Sequence, residues 1–167
     1  PLSLAFSSDG HWLACGSDQN DNLYVCDANQ PKVPPVRLEH AGNDAVFSAD
    51  GRRLFTFGRE VRVWNVGDWR LEPSLLAETG SGDQFNGAVS RDGRWLAATQ
   101  NNREVYLVEL ATGKTEAKLD GPGEGDILAL AFSPDGHALV VARDRGDLQV
   151  WSLNALRTEL AKLGLAW

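Results

Sequence analysis

The residues that most often bind metals are sparse in this sequence. Its three histidines, His11, His40 and His137, lie far apart along the chain. A protein metal site needs His, Cys, Asp or Glu ligands clustered at short spacing. His11 and His137 each follow an Asp-Gly pair directly, where a solvated side chain is the expectation. We therefore predict neither a metal site nor a cofactor.

Motifs for nucleophilic or phosphate chemistry are missing as well. The sequence contains no G-x-S-x-G and no H-E-x-x-H. The nearest glycine-rich candidate, "DGPGEGD" at residues 120–126, has no lysine and carries three acidic residues, so we interpret it as a loop. Acidic residues such as Asp83 and Asp126 have no spacing that indicates paired acid–base catalysis. No catalytic residue is predicted.

Cys15 and Cys26 lie on two consecutive predicted strands, and the parity of that hairpin places both side chains on one face. A disulfide between them is geometrically feasible. With only two cysteines among 167 residues, however, free thiols in a reducing compartment are favoured. This favours a cytoplasmic location.

Charge and hydropathy exclude two classes of partner. The 16 basic residues are scattered among 23 acidic ones, and the net charge is −7. Binding to a phosphate backbone needs a basic surface, so we expect no nucleic acid partner. No apolar run approaches the roughly 20 residues of a membrane span, so we expect no membrane partner.

The motif "SPDG" at residues 133–136 separates two apolar runs and predicts a hairpin. Asp-Gly is a strong turn signal because glycine accepts the positive φ of a tight turn. Pro134 suits the first central position of a type I turn. Residues 128–133 and 138–142 are therefore predicted to be antiparallel strands.

The same turn motif occurs four times, with its glycine at Gly10, Gly51, Gly93 and Gly136. The intervals are 41, 42 and 43 residues. A period of about 40 to 45 residues is the length of one four-stranded propeller blade. The chain therefore consists of four structural repeats.

Other strands recur in phase with this turn. A strand that ends in Trp or a substitute reads "NLYVCDA", "EVRVWNV", "EVYLVEL" and "DLQVWSL". Weaker outer segments follow the first three of these: "VPPVRLEH", "PSLLAETG" and "KTEAKLDG". The innermost strands, such as "LSLAFS" and "ILALAFS", are apolar at most positions, so both of their faces are expected to be covered.

This order of strands and turns resembles the WD40 β-propeller repeat over nearly all of residues 1–153. The resemblance implies an all-β propeller with blades at about 1–40, 41–83, 84–125 and 126–153, followed by a tail at 154–167. The Trp-Asp pair that names the family is absent. Two fragments of the family's side-chain network remain, Thr56 with Trp64 and Asp144 with Trp151.

We expect these blades to form an open fragment of a ring. WD40 rings commonly have seven or eight blades, whereas four are visible here, and the fourth has only three strands before the tail. The chain also contains no methionine. It resembles the C-terminal part of large bacterial WD40 proteins, some of which carry a kinase domain. Exposed end blades are expected to make the fragment self-associate.

The tail "NALRTELAKLGLAW" carries one apolar stripe at helical period. We predict a helix with Asn154 as its N-cap and Gly164 as its stop. It either packs on the propeller or docks a partner protein.

The resemblance implies a non-catalytic scaffold or sensor module of a multidomain bacterial signalling protein, with protein partners on the faces of the ring. In WD40 rings the loops between second and third strands share a face, and here they carry Arg59, Arg103, Arg143 and Arg145. These arginines either pair with Glu60, Glu104 and Asp144 in solvent or bind carboxylates or phosphorylated peptides. The alternative is a propeller enzyme, such as a lactonase or glycosidase, with its site in the central channel.

Overall fold

The computed structural model describes residues 3–17, 21–73, 75–76, 86–100, 103–120 and 125–162. The chain divides into two compact units, residues 1–86 and 87–167. Each unit contains two antiparallel β-sheets, and the described part of the second unit also contains one helix.

The first unit begins with a four-stranded sheet, and a three-stranded sheet follows it. The first sheet has the order β1 Leu4–Phe6, β2 Trp12–Gly16, β3 Leu23–Asp27, β4 Val36–Leu38. The second has the order β5 Asp44–Phe47, β6 Arg53–Phe57, β7 Val61–Asn65. Isolated bridges from Leu71 and Leu76 extend the outer edge of β7.

The second unit repeats this plan. Its first sheet has the order β8 Gly87–Val89, β9 Trp95–Gln100, β10 Glu104–Glu109, β11 Lys114–Asp120. The fourth sheet of the chain has the order β12 Ile127–Phe132, β13 Ala138–Arg143, β14 Leu148–Ser152, and helix α1 Leu153–Lys162 follows it at once. Four antiparallel sheets and one short helix confirm the predicted all-β class.

The predicted hairpin turn is present in all four sheets. At residues 133–136 the Gly136 N–H donates to the Ser133 carbonyl at 2.8 Å, and Gly136 has a φ of 70°. The Ser133 hydroxyl donates to Asp135 at 2.5 Å and accepts the Ala138 N–H at 2.9 Å. Ser7, Ser48 and Ser90 make the same pair of bonds in the other sheets.

Apolar packing joins the two sheets within each unit. In the first unit the core is formed by buried residues of both sheets: Ala14, Leu23, Val25, Leu38, Ala41, Ala45, Phe47, Leu54 and Trp64. In the second unit it is formed by Trp95, Ala97, Val105, Leu107, Ile127, Leu139, Val141 and Leu153. Each core lies between two sheets because a single sheet cannot bury its own face.

The expectation that both faces of the innermost strands are covered is wrong for β1 and β12. Leu4 and Phe6 are 64% and 63% exposed, and Leu128 is 60% exposed. Among the described residues, each of these strands has a neighbouring sheet on one face only. Apolar composition predicts a strand suited to burial, whereas actual burial depends on the next sheet.

Helix α1 begins two residues earlier than predicted, because Ser152 caps it in place of Asn154. The Ala155 N–H donates to the Ser152 hydroxyl at 3.2 Å. Leu153 is fully buried and Leu156 packs beside it against both sheets of the second unit. The predicted stop at Gly164 lies outside the described residues.

The two sheets of the first unit approach each other very closely at Gly16. A Cβ atom at this position would overlap the backbone carbonyl of Asn43, which lies just before β5. The backbone of Gly16 is not in the left-handed region, so the requirement for glycine here is one of space.

Candidate functional site

Three of the four candidate arginines lie exposed in turns between the second and third strands of a sheet. Arg59 lies in the β6–β7 turn of the first unit. Arg103 directly precedes β10, and Arg145 lies in the β13–β14 turn, both in the second unit. An exposed guanidinium group can make planar, bidentate contacts with carboxylate or phosphate oxygens.

Two of the acidic residues expected to neutralise these arginines bind other cations. Glu60 lies 3.4 Å from the Arg62 Nε, and Glu104 lies 2.8 Å from the Lys118 Nζ. The hydrogen bond from Lys118 to Glu104 raises the pKa of that lysine above its usual value. Within the described parts of the chain, Arg59 and Arg103 have no ion pair.

Arg143 occupies a different environment. Only 4% of its surface is exposed, and its Nη1 donates to the Gly125 carbonyl at 2.7 Å. Its position at the end of β13, opposite Ile127, directs the side chain into the second unit. It thus supports the loop before β12, while Arg103 and Arg145 remain at the surface of this unit.

The residue after a turn glycine joins an aromatic cluster in the first unit. His11 stacks on Trp12 with ring centroids 4.6 Å apart, and Trp69 meets Trp12 edge-on at 5.1 Å. The Nε2 of His11 lies 3.2 Å from Asp27. Burial opposes ionisation of Asp27, but hydrogen bonds from His11 and the Asn29 N–H outweigh it and hold the pKa of Asp27 below its usual value. His11 is therefore partly enclosed, unlike the exposed His137.

The second unit repeats this cluster around Trp95. Arg94, the residue after the turn glycine, places its guanidinium 4.8 Å from the Trp95 ring, and Arg157 of α1 lies 5.0 Å from it. Burial and the neighbouring charge of Arg94 lower the pKa of Arg157. The recurrence of His-Trp and Arg-Trp after the turn is a sequence signal that could have revealed both clusters.

An apolar cavity of about 540 Å³ lies in the second unit between β11, the end of β14 and α1. Leu119, Trp151 and Leu156 line its apolar part. Lys118 and Glu159 line it as well, and each is engaged in an ion pair, with Glu104 and Lys162 respectively. No single-residue motif indicates this cavity, because its walls come from three separate elements.

The outer edge of β14 differs from the edges of the other third strands. β3 and β10 pair with β4 and β11, and backbone bonds join β7 to residues 70–76. Among the described residues no strand pairs with β14 on its outer side. The predicted three-stranded fourth sheet is thus confirmed for this part of the chain.

The fragments of the blade network are present in part. The Trp64 Nε1 donates to the Thr56 hydroxyl at 3.0 Å, as predicted. The Trp151 Nε1 instead donates to Gln149 at 3.1 Å, so the predicted pair of Asp144 with Trp151 is wrong. Gln149 lies two residues before Trp151, on the same face of β14.

Other predicted candidates are not brought together. Cys15 and Cys26 share a face of the first sheet but form no disulfide. Over the described ranges, no group of three or more His, Cys, Asp or Glu residues is placed to hold a metal ion. Asp83 lies outside the described residues. No helix in the described part of the chain has the length and apolar character needed to cross a membrane.

Comparison with known proteins agrees with this repeat plan. The family model of the WD domain, G-beta repeat (WD40), matches residues 2–24 and 113–152. The chain is 28% identical to the small ribosomal subunit protein RACK1 of Caenorhabditis elegans over 83% of its own length and 41% of that protein. It is 25% identical to the Protein LST8 homolog of Drosophila melanogaster, over 89% of its length and 50% of the relative. The chain therefore spans half or less of the length of these curated relatives.

The matched segments include the first turn motif and the whole of β13 and β14. The Ser-x-Asp-Gly turn recurs in all four sheets with the same hydrogen bonds. The sheet topology and the repeated turn agree with the matched segments, so the chain is similar to WD40 repeat proteins in its repeat plan.

Proposed function

We propose that this chain is a non-catalytic protein-interaction module, the scaffold or sensor part of a multidomain bacterial signalling protein in the cytoplasm. The similarity to WD40 repeats and the exposed turn arginines support a binding role. The name of the C. elegans relative places that protein in a ribosomal subunit, which is a multi-component assembly. The two cysteines without a disulfide accord with a reducing compartment.

The observation that carries the proposal is the state of the turn arginines. Arg59 and Arg103 are exposed, and the carboxylates next to them bind Arg62 and Lys118 instead. A guanidinium that is not neutralised by its neighbour retains its capacity for a carboxylate or phosphate from a partner. We assign acidic or phosphorylated peptides as the partner class, with Arg59, Arg103 and Arg145 as the contact residues.

The test uses two immobilised peptides, one rich in Asp and Glu and one carrying phosphoserine, each against a neutral peptide of the same length. Replacing Arg59, Arg103 and Arg145 together by Ala should weaken capture of at least one charged peptide by about tenfold or more, because charge-assisted hydrogen bonds are lost. The circular dichroism spectrum should not change.

The matched control replaces three other exposed arginines, Arg52, Arg70 and Arg91, by Ala. It removes the same net charge, so a specific site predicts capture within about twofold of the native chain. Equal weakening by both triple variants, or no preference for either charged peptide, would contradict the assignment.

We also propose that the isolated chain self-associates. Apolar side chains of β1 and β14 are more than half exposed, namely Leu4, Phe6, Leu148 and Val150. Exposed apolar surface of this kind favours association in water.

A further inference from the structure

Each unit contains the same kind of sheet-to-sheet interface. We call the leading face of a sheet the side that packs on the following sheet, and the trailing face the side that packs on the preceding one. In the first unit, the leading face of the first sheet contributes Leu23 and Val25, which are 0% and 1% exposed. The trailing face of the second sheet contributes Ala45 and Phe47, which are 4% and 9% exposed.

The second unit uses the equivalent positions. Val105 and Leu107, on the leading face of the third sheet, are both fully buried. Leu130 and Phe132, on the trailing face of the fourth sheet, pack against the same core. The same interface therefore occurs in both units. The residues of each half occupy equivalent positions relative to the turn glycine of their sheet.

Two such halves are uncovered in this chain. Leu148 and Val150 pair with Ala142 and Val140, so they hold the positions in the fourth sheet that Leu23 and Val25 hold in the first. They are 68% and 65% exposed. The fourth sheet thus has a leading face with nothing packed on it among the described residues.

In the first sheet it is the trailing face that is uncovered. Leu4 and Phe6 precede Gly10 by the same intervals at which Ala45 and Phe47 precede Gly51. They are 64% and 63% exposed, whereas Ala45 and Phe47 are buried. Its trailing face is therefore uncovered, and its apolar groups match those that a leading face covers elsewhere in the chain.

We propose that the leading face of the fourth sheet binds the trailing face of the first sheet of a second copy of this chain. This deepens the self-association proposed above and rests on it. Both faces are exposed on one molecule, and the two internal interfaces show what each half accepts. Because the two halves differ, the contact is heterologous and copies join head to tail. They form either a closed ring or an open linear assembly.

The test uses two blocked variants. Leu148→Asp with Val150→Asp removes the leading face, and Leu4→Asp with Phe6→Asp removes the trailing face. All four side chains are exposed, so both variants should keep the native circular dichroism spectrum. Masses are measured by size-exclusion chromatography with light scattering at micromolar concentration.

The native chain should show a mass above 18.2 kDa that rises with concentration. Each blocked variant alone should be a monomer, since it lacks one half of the contact. Their equimolar mixture should form a species of twice the chain mass and grow no further, because only one pair of complementary faces remains.

The control replaces two exposed apolar residues away from these faces, Val33→Asp with Leu71→Asp, and should associate like the native chain. A native chain that stays a monomer would overturn self-association itself. If the native chain associates but the mixture stays monomeric, or the control also becomes monomeric, the head-to-tail contact is wrong while association by another route survives.

Discussion

Backbone conformation at the turn glycines is the first residue-scale determinant of the fold. Gly136 has a φ of 70°, and a Cβ there would meet no atom closer than 3.9 Å. The cost of a substitution therefore arises from the left-handed backbone and not from space. Gly136→Val should lower the free energy of unfolding by about 1 kcal/mol or more, as β-branched residues resist positive φ.

Urea denaturation checks this expectation, with Gly136→Asn as the matched control. Asparagine tolerates the left-handed region, so its loss of stability should be clearly smaller than that of valine. Equal midpoints for both variants and the native chain would contradict the role of the positive φ.

Space is the determinant at Gly16, where the backbone of Asn43 occupies the position of a side chain. Gly16→Ala should destabilise the first unit by about 1 to 3 kcal/mol, because the added methyl group forces the two sheets apart. Thermal unfolding measures the effect. Cys15→Ala, which adds no atom at the neighbouring position, should cost less, and a reversed order would argue against the close approach.

At the scale of the element, each hairpin depends on the serine of its turn. The buried Ser90 hydroxyl donates to Asp92 at 2.5 Å and accepts the Trp95 N–H at 2.8 Å. Ser90→Ala should cost about 1 to 3 kcal/mol, because it leaves the buried Trp95 N–H without its acceptor.

Ser133→Ala is the matched control for this substitution. The bond from Ser133 to Asp135 is solvent-exposed, so water can replace the missing hydroxyl and the loss should be smaller. The denaturation midpoints of the two variants measure these losses of stability. Equal losses would show that the contribution of the serine does not depend on burial.

The same turns make stability depend on acidity. The hydrogen bond from the serine hydroxyl lowers the pKa of the turn aspartates Asp9, Asp50, Asp92 and Asp135. A lowered folded-state pKa stabilises the protein above the unfolded value of about 3.9, and the stabilisation is lost as the pH falls through the folded value.

Urea midpoints at pH 6 and at pH 3 measure this dependence. The urea midpoint of the native chain should be lower at pH 3 than at pH 6. The difference in midpoint between the native chain and Asp92→Asn should be larger at pH 6 than at pH 3. A difference that does not change with pH would show that ionisation of Asp92 does not contribute.

How far the sequence predicts this fold depends on the range of the interaction. The four turns were predictable, since serine, aspartate and glycine bond within a few residues of one another. The cap of α1 at Ser152 and the Trp151–Gln149 bond were missed, although they are local, because several nearby side chains can serve each role. The exposure of Leu4 and Leu148 follows from the expected open fragment and not from their own segments, because it depends on which sheet lies next to them.

The candidate site shows the same division. Placement of Arg59, Arg103 and Arg145 in exposed turns follows from the repeat, whereas the burial of Arg143 depends on the Gly125 carbonyl far away in sequence. The cavity beside Trp151 was beyond prediction, since three elements must first be packed.

At the scale of the whole molecule, the sheets differ in how many of their strands have neighbours on both sides. The second strands β2, β6, β9 and β13 each pair with two strands, as do β3 and β10. β14 pairs with β13 alone among the described residues, while the equivalent strand β7 donates from the Val61 N–H to Leu76 at 2.9 Å.

The edge of β14 has a consequence for the time course of amide hydrogen exchange. In an antiparallel pair, alternate residues direct their N–H groups away from the partner strand, and Val150 is such a residue because the Leu153 N–H bonds to His137. In deuterated buffer the Val150 amide should exchange much faster than that of Trp151 or Val61. The measurement is NMR at a concentration where the chain is monomeric, and a slow Val150 amide there would mean that another segment already covers this edge.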